Sequence, residues 1–331
     1  MKIVIDKDIP FIQDRFPAEI ETVYVAGAEI DKKLVEDADA LIVRTRTKCD
    51  EHLLKGTKVK MIATATIGTD HIDIPWCEAN GITVRSSPGC NAPGVAQYVL
   101  SSLFKAGFNP KTDTLGIIGY GNVGSIVADW ARQCGIKLLI SDAPREEAGY
   151  TDVEYVSKER ILKECDAVTL HVPLTPSGNH PTLGLIGKGE LGKMKPDALL
   201  INSSRGGVVE EKALKEMLLH HRIRAVIDVW ENEPDIDYEL AKKAFIATPH
   251  IAGYSLEGKM RATSMALEAV GEILGFPVDT KGLECKDPKD FKITRERIEN
   301  SYNPLTDHSR LLSREKGFEE LRNKYSYRNE P

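Results

Sequence analysis

The chain has 331 residues, about twice the length of an ordinary domain, so two hydrophobic cores are expected. Hydrophobic residues make up 41% and charged residues 28%, a globular balance that excludes extended disorder, collagen-like repeats and a membrane bundle. Lys and Arg number 44 against 50 Asp and Glu, a formal charge of -6; neither nucleic acid nor a membrane is expected as a partner, and any anion site must be local.

The N-terminus runs directly into Lys2-Ile3-Val4-Ile5-Asp6, charged on both sides of a short apolar core, which suits a strand and not a signal peptide. Further β-branched runs at Ala40 to Thr45, Met61 to Thr66 and Ile82 to Arg85 predict the other strands of a first block. A helix is expected from Ala92 to about Ala106, ended by Gly107, Asn109 and Pro110. A second block then offers strands at Leu115 to Gly119, Lys137 to Asp142, Asp166 to Val172, Ala198 to Asn202, Ala225 to Val229 and Phe245 to Ala247. Helix-like stretches between them predict a six-stranded, doubly wound parallel sheet. The Leu256 to Leu274 segment spaces its apolar residues as a helix does, with Ser255 as a cap and Gly275 and Pro277 as stops. Beyond it the chain turns charged, so a tail or accessory segment is expected and no third core. Six scattered cysteines with no C-x-x-C pair fit neither a disulfide framework nor a metal site; a reducing cytoplasm is expected.

The sharpest motif is Gly119-Tyr120-Gly121-Asn122-Val123-Gly124, a G-x-G-x-x-G between an apolar strand and a helical pattern. Gly119 permits the tight turn, Gly121 lets a pyrophosphate approach the backbone, and Gly124 allows close packing of helix on strand. Alone such a match can be a glycine-rich turn. Asp142 strengthens it: it ends the next strand 18 residues beyond Gly124, where a carboxylate can accept from a ribose 2′-hydroxyl and repel a 2′-phosphate. NAD is therefore the expected cofactor, although Arg145 lies only three residues on.

Three more segments follow strands of the second block: Ser203 to Gly207, Asp228 to Pro234, and Thr248 to Gly253. Singly, Arg205 could be a surface ion-pair partner, Glu233 a solvated acid and His250 a core histidine. Together they hold the parts of hydride transfer at a hydroxyl-bearing carbon. His250 can remove the hydroxyl proton, Glu233 can orient and support the imidazole, and Arg205 can hold a carboxylate.

This set, over about residues 1 to 275, resembles the D-isomer-specific 2-hydroxyacid dehydrogenase family. The segments Gly68 to Asp73, Pro88 to Ala92, Asp228 to Pro234 and His250 to Tyr254 resemble members that act on 4-phospho-D-erythronate. The resemblance implies an α/β fold of two doubly wound parallel-sheet domains. A discontinuous substrate domain would take residues 1–93 and the returning helix of 256–275, an inserted Rossmann domain residues 94–255, and a short C-terminal accessory segment, a candidate for dimerisation, residues 276–331. It implies Arg205, Glu233 and His250 as the catalytic trio. Gly119, Gly121, Asn122, Val123, Gly124, Asp142, Val172, Asp228 and Gly253 would bind the cofactor, with Asp228 at the nicotinamide carboxamide. Thr45, Thr66 and Tyr254 would face a phosphorylated hydroxy acid, joined by Arg44 on the basic Arg44 to Lys48 loop. A homodimer is implied, but residues 276 to 331 are fewer than the dimerisation domain of the best-known members. Phosphoglycerate dehydrogenase stays open as a rival, formate dehydrogenase less so because that relative has Gln where Glu233 stands, and a dinucleotide-sensing corepressor is the rival of another class.

Overall fold

The β-branched runs pair into two wholly parallel sheets, and the computed structural model describes them over residues 1–314 and 317–331. One unit comprises Met1–Asn91 with Ser255–Lys286, the other Ala92–Tyr254 with Asp287–Pro331.

In the first unit, β1 (Lys2–Asp6), β2 (Glu21–Val25), β3 (Ala40–Val43), β4 (Met61–Thr64) and β5 (Thr83–Arg85) form a sheet of order β2-β1-β3-β4-β5. Edge strand β2 was not expected from the sequence, although Thr22-Val23-Tyr24-Val25 is a β-forming run. Its residues are only half-buried because one flank of the strand has no neighbour. The Leu256–Leu274 helix forms as its spacing predicts: Ser255 Oγ accepts from Gly258 N at 3.1 Å, and Gly275 ends it in the left-handed conformation. Its buried Ala262, Ala266, Leu267 and Val270 share a core with Ile3, Ile5, Ile42 and Met61, so a distant stretch of chain completes this unit.

In the second unit, β6 (Thr114–Ile118), β7 (Lys137–Ser141), β8 (Ala167–Leu170), β9 (Leu199–Asn202), β10 (Arg224–Ile227) and β11 (Ile246–Ala247) take the order β11-β10-β9-β8-β6-β7. The strand order reverses between β6 and β8, the switch point outside whose carboxyl ends such sheets bind ligands. Several strands stop a residue or two short of their predicted ends. Arg44 and Thr45, Thr66, Gly119, and His171 and Val172 all lie just beyond the ladder, in the loops that leave the carboxyl ends of the strands.

The stretch 276–331 is not one accessory segment. Residues up to Lys286 belong to the first unit, where Leu283 joins the core. The remainder belongs to the second and forms the helices Arg295–Ser301, Pro304–Leu312 and Phe318–Asn323. Its apolar residues are sparse but well spent: Phe291, Ile293, Ile298, Tyr302, Leu311 and Phe318 are all buried in the cores flanking the second sheet. No helix among the described residues is long and apolar enough to cross a membrane.

Candidate active site and cofactor site

The loops after β10 and β11 meet in the second unit. After β10 the chain carries Asp228 and Glu233; after β11 it carries His250. Asp228 is buried, and its carboxylate organises the second loop. Oδ1 accepts from Thr248 Oγ1 at 2.6 Å and Ile251 N at 2.8 Å, and Oδ2 accepts from Ala252 N at 2.9 Å. Thr248 donates its one hydroxyl proton to Asp228, so the Tyr98 hydroxyl at 2.7 Å must donate to Thr248. Burial, and then the charge of Asp228, push the Tyr98 phenol well above its ordinary range, which keeps that donor in place. His250 itself stands at φ 57°, a left-handed conformation that a non-glycine residue holds only where its surroundings enforce it. The Asp228 bonds to the following amides, and His250 N donating to Asp228 O at 2.8 Å, supply that enforcement.

This geometry brings His250 Nδ1 to 2.8 Å from Glu233 Oε2, while Glu233 Oε1 accepts from Trp230 N at 3.0 Å. Burial alone would raise the Glu233 carboxyl, but the hydrogen bond and charge of His250, the Trp230 amide and the nearby Arg322 outweigh it and hold the group below its usual range. Glu233 is therefore an anion at neutral pH, able to orient the ring and stabilise an imidazolium. Nδ1 is thus engaged with Glu233, and Nε2 is the ring nitrogen that such an arrangement could use to exchange a proton. Arg205 follows β9 in a turn built by Asn202, which accepts from Ser204 Oγ at 2.7 Å and donates to Arg205 O at 3.1 Å. A Cβ on Gly206 would lie 1.9 Å from Trp230 O, so only glycine lets this turn lie against the Glu233 loop.

A family model for the D-isomer specific 2-hydroxyacid dehydrogenase NAD binding domain matches residues 98–252. Over all of this chain and 97% of its own length, the erythronate-4-phosphate dehydrogenase of Bacteroides fragilis is 45% identical; that of Bacteroides thetaiotaomicron is 44% identical over the same shares. The chain belongs to the D-isomer-specific 2-hydroxyacid dehydrogenases. Among solved structures, NAD+-bound 3-phosphoglycerate dehydrogenase of Entamoeba histolytica is similar, with 28% identity, a TM-score of 0.68, and coverage of 84% of this chain and 98% of that one.

The glycine turn of this dehydrogenase fits the NAD that its family's domain binds. Gly119 has φ +93°, and a Cβ there would stand 2.5 Å from His171 O; one on Gly124 would stand 2.0 Å from Gly119 O. A Cβ on Gly121 would meet nothing within 4 Å, so the middle glycine faces the open space that a pyrophosphate needs. It also begins the Asn122–Gln133 helix with no side-chain cap, which leaves the first-turn amides of Asn122 and Val123 available to phosphate oxygens. Val172, just past β8, flanks the turn, its Cγ1 3.0 Å from where a Gly119 Cβ would be.

Asp142 ties this turn to the strand beside it. Its Oδ2 accepts from Tyr120 N at 2.7 Å and its Oδ1 from Arg145 N at 3.1 Å, which leaves each oxygen further acceptor capacity for a ribose hydroxyl. Arg145, the reason to consider a 2′-phosphate, is turned to Asp152 at 3.0 Å and Tyr155 at 3.1 Å and lies 4.1 Å from the centre of the Tyr150 ring.

In the first unit the candidate substrate residues separate. Arg44 does not extend into solvent: Nε donates to the buried Asp6 at 2.8 Å, and Nη2 lies 3.3 Å from both Asp6 and Asp8. Thr45 is exposed beside it. Thr66 Oγ1 donates to Gly68 O at 2.9 Å, so it accepts from Thr64 Oγ1 at 2.7 Å. Arg261, on the returning helix, donates through Nε to Cys90 O. Tyr254, in the second unit, stacks edge-on against Tyr325 and Tyr327 of the C-terminal stretch. Sequence reasoning missed that stretch as part of the site. Arg328 Nη1 donates to Ile251 O at 3.1 Å and Tyr254 O at 3.3 Å, its Nη2 to Ala252 O, and Gly253 lies inside this clamp. No local motif marks it, because its partners are backbone carbonyls over seventy positions earlier.

Proposed function

We propose that this dehydrogenase oxidises the C2 hydroxyl of 4-phospho-D-erythronate to 2-oxo-3-hydroxy-4-phosphobutanoate, a step that serves pyridoxal 5′-phosphate synthesis. Full-length identity of 45% to a relative of that name supports the substrate, and the His250 to Glu233 hydrogen bond of 2.8 Å carries the chemistry. Arg205 holds the substrate carboxylate with its planar fork and polarises the adjacent C2 oxygen. His250 Nε2 accepts the hydroxyl proton, and the Glu233 anion stabilises the imidazolium that results. NAD, when bound, supplies the two-electron acceptor for the C2 hydrogen. Gly119, Gly121, Asn122, Val123, Gly124, Asp142 and Val172 hold the cofactor. Asp228 contributes first by shaping the loop that presents His250 and Gly253, with acceptor capacity left on Oδ2 for the carboxamide.

Thr45, Thr66 and Tyr254 are the proposed substrate contacts. Arg44 supports the Thr45 loop through Asp6, and any phosphate it binds must share it with two carboxylates. A homodimer in the cytoplasm completes the reading. The exposed Leu174 and Leu183, both near the Gly207 turn, offer an apolar patch for a second copy, and six free cysteines suit a reducing compartment.

Turnover of 4-phosphoerythronate and 3-phosphoglycerate with NAD, assayed side by side, decides the substrate. At least a hundredfold higher kcat/KM on the first is expected. Equal or reversed preference assigns phosphoglycerate chemistry, and NADH binding without turnover of either assigns a sensor.

A further inference from the structure

We propose that Arg322, from the C-terminal helix Phe318–Asn323, is a positioning residue of the proton-transfer pair, so that the end of the chain completes the active site. Its Nη1 lies 3.8 Å from Glu233 Oε2, the oxygen that His250 Nδ1 meets at 2.8 Å. Its guanidinium also hydrogen-bonds the Tyr254 side chain. One cation thus joins the catalytic carboxylate to a proposed substrate contact. Phe318, buried in the core, fixes the helix, and the guanidinium carbon sits 5.7 Å from that ring's centre. Burial also isolates one nitrogen: Arg322 Nε is out of contact with water and has no hydrogen-bond partner among the described residues. A cation taken out of water in this way must be compensated by the opposite charges it faces, here Glu233 and Glu319.

The groups around Glu233 come from several elements. His250 approaches from the loop after β11, the Trp230 amide from its own loop, and Arg322 from the C-terminal helix, with Glu319 of that helix 3.6 Å from Arg322. Glu211, at the head of the Glu211–Leu219 helix, is a further acid that adds a negative charge once it ionises, at about pH 7. Arg322 is the added positive charge that offsets these acids. It keeps Glu233 ionised when His250 is neutral, the state in which oxidation begins, and it tempers the pull of that anion on the imidazole proton.

The inference rests on His250 and Glu233 moving the proton, so His250→Ala is assayed in parallel. Arg322→Met should lower kcat about tenfold, leave NADH affinity within twofold, and move the acidic limb of the oxidation profile at least half a pH unit upward, because the protonated pair gains stability when the cation is removed. Arg322→Lys keeps the charge but cannot span both partners. Its limb should stay in place while KM for the phosphorylated acid rises at least threefold as Tyr254 is released. If Arg322→Met does not fold, Arg322→Lys decides alone, and any result other than that pairing of unmoved limb and raised KM overturns the proposal. A folded Arg322→Met with unaltered kcat and limb overturns it too. Should His250→Ala retain most of its kcat, the catalytic reading fails instead.

Discussion

Asp6 is fully buried at the end of β1, and Arg44 answers it with nitrogens at 2.8 and 3.3 Å. The sequence placed Arg44 in a basic loop and suggested a phosphate ligand; the buried carboxylate opposite, thirty-eight positions away, could not be read from spacing. Removing the cation leaves that carboxylate without its partner, which costs about 2 to 3 kcal/mol for a pair with one side partly solvated. Arg44→Ala is therefore expected to lower the unfolding midpoint in urea, and Asp6→Asn combined with it should recover most of the loss; a purely phosphate-binding Arg44 would leave stability alone. Asp142 differs, because its oxygens keep acceptor capacity beyond the Tyr120 and Arg145 amides. Asp142→Ala should raise KM for NAD by about one to two decades, the size of a charge-assisted hydrogen bond of roughly 1.5 to 3 kcal/mol. Gain with NADP should stay small until Asp152→Ala frees Arg145 from its ion pair, a dependence that KM measurements on the single and double variants would reveal.

Glu211 and Glu231 couple the head of a helix to the loop that carries Glu233. Each backbone amide donates to the other residue's carboxylate, Glu211 N to Glu231 Oε1 at 3.0 Å and Glu231 N to Glu211 Oε1 at 2.8 Å. Burial, then the charges of Glu231, Asp237 and Glu233, push Glu211 up to about 7, against the helpful Glu231 amide. The folded state thus binds a proton more tightly than the unfolded one, so the stabilisation is full below the ordinary glutamate value and is lost as pH rises toward 7. Glu211→Gln keeps the acceptor and removes the charge. Thermal unfolding should show a gain of about 1 to 2 kcal/mol at pH 8, after allowance for the solvent the group still meets, and almost none at pH 4.5. Such reciprocal links between elements are invisible to periodicity, which is a property of one segment. Periodicity did reveal the segments: among the described residues, ten of the eleven strands and the Leu256–Leu274 helix with both its stops follow from β-branched runs, spacing and caps. It overran strand ends at Thr45, Thr66 and Val172 because an apolar pattern continues where the hydrogen-bond ladder does not. The Gly119 to Gly124 turn was legible because sterics permit so few residues there, whereas Arg322 and Arg328 sit in a stretch whose composition reads as solvated.

Across the whole chain, that charged stretch is what finishes the second unit. Its Pro304–Leu312 helix covers the sheet edge, where His308 Nδ1 accepts from Ala247 N of β11 at 3.0 Å, and so gives an edge amide a partner it would otherwise lack. Three positions from the end, Arg328 spends its donors on Gly94 O, Gln97 Oε1 and the carbonyls of Ile251, Ala252 and Tyr254, with its guanidinium carbon 4.3 Å from the centre of the Tyr302 ring. The start of the Ala92–Lys105 helix, the His250 loop and the C-terminus are therefore joined through one planar group. Arg328→Met keeps much of the packing on Tyr302 but strands those carbonyls, at a cost of about 3 kcal/mol, or roughly 5 to 10 °C in Tm for a unit of this size. Loosening should reach His250 first, since its left-handed backbone depends on the loop being held. kcat is thus expected to fall severalfold even at temperatures where circular dichroism shows a folded protein, with hydrogen exchange accelerating at residues 251 to 254 before the strands of the sheet. Arg328→Lys should recover little, because a single ammonium cannot reach carbonyls on both sides of the fork. Full activity in a folded Arg328→Met would show that the Asp228 bonds hold the loop without help from the chain's end.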